Sequence, residues 1–539
     1  MTVGNHAAVT MRFDRSFDSE GSAIVDSGDY SWMLISTALV MFMVPGLALF
    51  YGGMSRTKNV MNMLMMNMYC IGIVPIVWVL VGYSISNSSG GGGFFGGEWI
   101  GNFDAVGLDG LNADPESLIF VAFLMTFASI TPALISGAAA DRMKFSAWAI
   151  FVPVWLLAVY CPVTYWVYNG WHAGNGALDF AGGTAIHLNA GVAALALVLV
   201  LGKRRGWPSE VMPSHNMPMI MLGAGILWFG WFGFNAGSAG AANGQAVQAL
   251  LNTFLAAAAG MVGWMAIEKI KGGHATSLGA ASGMIAGLAT ITGPAGYVGG
   301  MAGVVFGLVG GAVCYWAVSL KNRFGYDDSL DVVGIHGAGG LTGGLLLGLF
   351  ADASAIPGGD FSDGLFFGGG MELLFDQIVA MFSVVVLSFV VIGVAPRTLG
   401  RQHSESVALF SAGPLTWVTR VLGPVPRVLI LLGNAITPGK GFTDGPFSTE
   451  TELRELVDLA EASSLIESEE RRMIHSVFDL SDTTAREVMV PRGDVVFVER
   501  HKNLRQTLSL FLRSGFSRVP VIEDNLDHVV GVAYLKDLV

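Results

Sequence analysis

Hydrophobic residues fill long blocks over the first three quarters of the chain, separated by short polar or glycine-rich breaks. A helix needs about 20 predominantly apolar residues to cross roughly 30 Å of hydrocarbon. Eleven blocks reach the required scale, at 29–53, 60–84, 116–138, 145–166, 181–202, 217–236, 244–267, 275–291, 295–320, 331–351 and 373–395. Beyond residue 395 the blocks give way to ordinary alternation. Acids, bases and Leu/Ile recur at helical spacing over 448–480, which predicts a solvated amphipathic pair. The expected fold is therefore an all-α polytopic membrane protein with a small cytosolic α/β tail.

Charge fixes the expected topology. Lys and Arg are retained on the cytoplasmic side of membrane spans. Alternate loops carry Arg56 and Lys58, Arg142 and Lys144, Lys203 to Arg205, Lys269 and Lys271, and Lys321 and Arg323, whereas the loops between them carry none. This places the N-terminus outside and the C-terminus in the cytoplasm, as an odd number of spans requires. The domains read as an extracytoplasmic segment 1–28, a membrane domain 29–395, a juxtamembrane linker 396–447 and a cytosolic region 448–539. The first 28 residues lack the basic flank and short apolar core of a cleavable signal peptide.

Composition narrows the function classes. Of 539 residues, 53% are hydrophobic and only 13% charged, more apolar surface than a soluble domain of this size buries. A net charge of −12 argues against nucleic acid. Cys70, Cys161 and Cys314 are scattered through apolar blocks, so neither a disulfide framework nor a thiolate metal site is expected. No cofactor, metal or covalent catalysis is indicated.

Two histidines carry the chemistry. An ionisable side chain inside a span is costly and normally faces a cavity, a partner or a pathway. Leu178-Asp179 leads to His187 on the fifth block, and Leu330-Asp331 leads to His336 on the tenth. Five spans separate them, so the two halves are inverted with respect to each other, an arrangement that places a transport site near the midplane. Neutral imidazoles suit the passage of a small polar molecule or a proton along an apolar bore. Asp331 fits an N-cap at the head of its span; Asp179 fits the same role on spacing alone.

The strings Gly230-Trp231-Phe232-Gly233-Phe234-Asn235-Ala236-Gly237-Ser238 and Ala177-Leu178-Asp179-Phe180-Ala181-Gly182-Gly183-Thr184, with Phe50-Tyr51-Gly52-Gly53 and His336-Gly337, resemble ammonium transporters of the Amt/Mep/Rh family. The resemblance covers about residues 29 to 395. It implies a homotrimer in the plasma membrane with one pore per subunit. Trp166, Phe123 and Ser238 would form an external cation site supported by Asp179. Phe127 and Phe234 would form a gate, and His187 and His336 would line the pore. Aromatic faces attract a small cation and a serine oxygen accepts its N–H. Potassium can use the same faces, so discrimination needs loss of a proton, which desolvation favours. The resemblance further implies conduction of ammonia with proton relay. It also implies that a PII-class signalling protein partners the family's own tail, a segment replaced here.

From Pro396 the chain looks like the C-terminal half of a CorC/CNNM-type magnesium and cobalt exporter. Pro414, Pro424 and Pro426 interrupt the apolar stretch 406–436, which reads as juxtamembrane helices. Val488-Met489-Val490-Pro491-Arg492, a helix near 503–514, then Gly515 to Val521 and Gly531-Val532 resemble one cystathionine-beta-synthase (CBS) repeat. Such repeats bind adenine nucleotides as pairs, so a single one is not expected to do so. Two other readings stand beside ammonium transport: an ammonium sensor signalling through the tail, and a divalent-cation exporter.

Overall fold

Eleven apolar helices account for the eleven hydrophobic blocks. They are α1 (Ser27–Met54), α2 (Thr57–Asn87), α3 (Pro115–Ala139), α4 (Phe145–Gly174), α5 (Gly183–Leu201), α6 (Met217–Gly237), α7 (Gly244–Gly272), α8 (Ser277–Ile291), α9 (Ala302–Phe324), α10 (Val333–Phe350) and α11 (Glu372–Val394). The computed structural model describes residues 26–87, 99–394 except 211, 357 and 358, and 489–539, together with 16–17, 23–24, 461, 469–474 and 476. The expected juxtamembrane helices and most of the 448–480 pair lie outside the described residues.

Ten of these helices are long and apolar enough to span a membrane, and α8, with 15 residues, is shorter. At 1.5 Å per residue it reaches only about 22 Å. Nearly all of α8 is buried, so protein rather than lipid surrounds it. Glycines let α7 and α8 approach closely: a methyl group on Gly260 would lie 2.5 Å from the Gly283 carbonyl oxygen. The ninth block begins later than the hydropathy suggests, at Ala302. Pro294 lies in the connection, and the Tyr297 N–H donates to its carbonyl in a tight turn.

Helices α2 and α4 share a device. Each contains a proline, Pro75 or Pro153, and three residues later its winding widens into a π turn, Trp78–Gly82 or Leu156–Tyr160. Proline withholds a backbone donor and crowds the preceding turn, and local π winding re-satisfies the freed carbonyls.

Four of the five basic loops converge on one network, in which Arg204 also lies 3.7 Å from Asp141. Asp141 accepts from Arg56 Nε at 2.8 Å and from Asn59. Arg204 donates through Nε and a terminal nitrogen to Asp327, whose carboxylate also accepts the Arg204 backbone N–H at 2.7 Å. Arg142 reaches the carbonyls of Gly202 and Asp327. Burial alone would raise the Asp327 carboxyl, but the Arg204 hydrogen bonds and charge overcome it and hold the group below its ordinary range. These bonds tie the connections after α1, α3, α5 and α9.

The chain divides into two units, Met1–Ser411 and Ala412–Val539. In the second, β1 (Val498–Glu499) pairs parallel with β2 (Arg518–Ile522), which pairs antiparallel with β3 (Val529–Tyr534). Helix α12 (Leu504–Ser514) starts with Asn503 and Gln506 in a reciprocal capping box and ends at Gly515 in the left-handed conformation. Val498, Phe511 and Val519 form its small core.

Replacing Arg204 with Met should leave Asp327 as a buried, under-compensated charge. A loss of about 3–5 kcal/mol is expected, read as lowered unfolding temperature of the detergent-purified protein. A shift no larger than that of an exposed Arg513→Met control would contradict it.

Candidate functional site

Helical spacing puts Phe123 and Phe127, four residues apart, on one face of α3. Their ring centroids are 4.8 Å apart, and Phe127 stacks on Phe234 of α6 at 4.2 Å with 20° between planes. Phe234 lies 6.1 Å from the His187 ring, and His187 stacks on His336 at 5.3 Å. All five side chains are buried. The two phenylalanines of α3, Phe234 and the two histidines thus form one continuous file. Ser238, at the end of α6, is also buried, and its hydroxyl donates to the Phe234 carbonyl at 2.9 Å. Trp231, one turn before Phe234, stacks on His187 at 5.4 Å and donates its indole N–H to Thr292.

Trp166 belongs to a second aromatic group. Its indole N–H donates to the Trp99 carbonyl at 2.6 Å, and its ring meets those of Trp99, Trp171 and His172 at 5.8, 5.9 and 5.7 Å. Trp99, Trp171 and His172 escaped the sequence reading. Only the clustering of aromatic residues at 165–171 hinted at Trp171.

His187 and His336 both sit on π turns at the head of their helices, Gly183–Leu188 and Val333–Gly337. Extra winding of this kind recurs at functional sites. His187 Nδ1 and His336 Nδ1 are 3.3 Å apart. Two ring nitrogens at that separation share one proton, so one Nδ1 donates and the other accepts. In the neutral pair one Nε2 then carries a hydrogen and the other is bare. His187 Nε2 is buried with no protein partner among the described residues.

Asp179 organises the first π turn. One carboxylate oxygen accepts the N–H groups of Gly182 and Gly183 at 3.0 and 2.7 Å, and the other those of Thr184 and Ala185 at 2.9 Å each. Gly182 takes the left-handed φ of 105° that the tight entry requires. Burial raises the Asp179 carboxyl, and the four amides pull it only part of the way back. Its two oxygens are thus engaged with the backbone of the turn that leads to His187.

The second half is built differently from the expected Leu330-Asp331 match. Asp331 does not cap its helix; it pairs with Lys321, at a left-handed φ of 64°. Asp328 takes the capping role, accepting the Val333 N–H at 2.7 Å. Asp328 precedes His336 by eight residues, as Asp179 precedes His187, so the internal repeat runs through Asp328. Burial and the neighbouring Asp331 push the Asp328 carboxyl up to about 6 against the pull of Lys321.

Polar side chains of α11 hold the first half in place. Gln377 exchanges two hydrogen bonds of 2.8 Å with the Leu178 backbone, and Ser388 donates to Asn189 on α5. Among the described residues no group of three or more His, Cys, Asp or Glu is placed to hold a metal.

A bundle of eleven apolar helices, with a buried file of aromatic rings ending on a pair of imidazoles, defines a polytopic membrane transport protein. The ammonium transporter family model matches residues 31–401, and the chain belongs to that family. A model of the cyclin M transmembrane N-terminal domain matches residues 348–470, and a CBS domain model matches 485–539. An ammonium transporter of Mycobacterium tuberculosis is 48% identical over 398 residues, covering 68% of this chain and 83% of the relative. The crystal structure of Candida albicans Mep2 is similar with a TM-score of 0.65 and 33% identity, over 70% of this chain and 85% of that one. A structure named Sensor Amt Protein is similar with a TM-score of 0.63 and 25% identity, over 70% and 94%.

The Asp179→Asn variant should turn an amide NH2 toward two backbone N–H groups, each left unsatisfied at about 1–3 kcal/mol. A lowered unfolding temperature together with lost transport is the expected outcome; wild-type stability would contradict the capping role. Asp328 adds a pH dependence. Its folded pKa lies above the unfolded value of about 4, so its contribution is fully present below that pH and is lost as pH rises through about 6. Thermal stability should therefore increase from pH 7 to pH 5, and by less in Asp328→Asn. An equal increase in both proteins would assign the effect elsewhere.

Proposed function

We propose that this protein carries ammonium across the plasma membrane by binding NH4+ at an external aromatic site, removing its proton, and conducting NH3 past His187 and His336. The observation that carries this reading is the unbroken buried file Phe123, Phe127, Phe234, His187 and His336. Trp166, Phe123 and Ser238 receive the cation, and Asp179 supports the site by holding the adjoining turn. Stacked Phe127 and Phe234 close the path beneath it. Water is excluded there, so the charged form of the amine is disfavoured and a proton is given up. Potassium holds no proton to lose and is refused at that step.

The neutral imidazole pair then offers the bore one N–H and one bare nitrogen. Ammonia has the complementary lone pair and hydrogens. The proton shared between the two Nδ1 atoms gives a route for relay, so charge moves with each turnover. The family assignment and the basic loops support a homotrimer with its N-terminus outside and its C-terminus in the cytoplasm. The CBS-matching tail and the similarity to the structure named Sensor Amt Protein favour one second reading, an ammonium sensor that signals through residues 485–539.

Currents in proteoliposomes test the reading. Trp166→Ala should weaken cation binding by up to about 2 kcal/mol, roughly thirtyfold in half-saturating ammonium. His187→Ala with His336→Ala should leave the assembled protein intact and abolish or sharply alter ammonium selectivity over potassium. Wild-type flux and selectivity in the double variant would overturn the mechanism. Absence of any ammonium flux in the wild-type protein would favour the sensor.

A further inference from the structure

His172 lies in the last turn of α4, Trp171–Gly174, beyond the break at Asn169 and Gly170. It is 2% exposed. One edge of its ring faces α11, with Nε2 2.7 Å from Ser383 Oγ. Its ring also packs edge-on against Trp166, with 70° between the planes.

Hydrogen bonding assigns the tautomer. Ser383 has a single hydroxyl hydrogen, and its oxygen lies 2.8 Å from the Ala380 carbonyl, to which it donates. The oxygen is then free to accept, so His172 donates from Nε2 and Nδ1 carries the lone pair. The opposite assignment would bury an N–H at Nδ1 with no acceptor, because that atom has no partner among the described residues. An orphaned donor is the costlier arrangement. His172 therefore stands as a neutral ring clamped to α11 by one directed bond.

Four contacts set the attitude of Trp166: the Trp99 carbonyl, the Trp99 ring, the Trp171 ring and the His172 ring. Trp171 and His172 are on the same short turn, and of the two His172 has the hydrogen bond to another helix. The serine that receives it sits between Gln377 and Ser388, the two α11 residues that hold the loop bearing Asp179 and the helix bearing His187. Three polar side chains of α11 thus anchor the turn beside Trp166, the loop bearing Asp179 and the helix bearing His187.

We infer that His172 is a positioning residue for ammonium binding: through Ser383 it fixes the Trp166 ring in the orientation that receives the cation, and so sets affinity without taking part in conduction. The inference rests on the assignment of Trp166 to the cation site. Orientation matters because the attraction of a cation to an aromatic ring acts over its face and weakens at its edge.

Ammonium-evoked currents of the full chain in proteoliposomes test it, with half-saturating concentration and saturating current measured separately. His172→Ala and Ser383→Ala should each raise the half-saturating concentration about three- to tenfold and leave saturating current within about twofold of wild type. The double variant should match the singles, since both cut the same link. His172→Gln, which can still donate to Ser383, should recover most of the affinity. In a Trp166→Ala background His172→Ala should add nothing. Additive effects of His172→Ala and Ser383→Ala, or a fall in saturating current at unchanged half-saturation, would overturn the inference. So would an undiminished His172→Ala effect in the Trp166→Ala background. If Trp166→Ala itself leaves half-saturation unchanged, the assignment of the cation site fails instead. Should either alanine variant not assemble, His172→Gln against His172→Asn decides: equal affinities would contradict the link, because asparagine is too short to bridge to Ser383.

Discussion

The close crossing of α5 and α10 governs everything else in the membrane unit. A methyl group on Gly191 would overlap the backbone of Gly337, and one on Gly340 would lie 2.5 Å from the Gly183 carbonyl oxygen. Lipid supplies no hydrophobic drive for helices to associate, so contact between small residues must provide the packing. That contact also brings His187 and His336 to within one hydrogen bond. Wider spacing at either glycine would leave two buried imidazoles without partners, at a cost the low-dielectric interior makes severe.

Once the helices touch, both π turns need their surplus backbone groups satisfied. Asp179 does this for α5 with four amides, and Asp328 does it for α10 with Val333. The two acids therefore act on the histidine pair through the backbone that carries it. On the other side, α11 supplies Gln377 and Ser388 as fixed polar anchors. The rings of the buried file are few, and a larger set of buried polar groups sets their positions.

Much of this was legible in the sequence. Block length placed nine of the helices to within about five residues, because an apolar run of fixed length is what a membrane demands; α4 runs on to Gly174, eight residues past its block. The α9 start was misplaced since Pro294 and its glycine neighbours are apolar enough to read as membrane while breaking the helix. The helix at 503–514 also appears where the CBS resemblance put it. The second repeat was read from Leu-Asp, but the backbone uses Asp328, three residues earlier. Sequence offers three acids at 327, 328 and 331, and only geometry separates a cap from an ion pair. Trp99 and His172 were invisible for a different reason: nothing in a linear pattern indicates which aromatic residues from separate loops will surround Trp166.

The glycine crossing holds two neutral imidazoles that share one proton. Nitrogen magnetic resonance of the protein in lipid, labelled at histidine and assigned by His187→Ala and His336→Ala, measures this directly. One protonated and one bare Nδ1 joined by a coupling across the hydrogen bond are expected, with the signal lost in either variant. Two protonated Nδ1 atoms, or two that show no coupling, would contradict it.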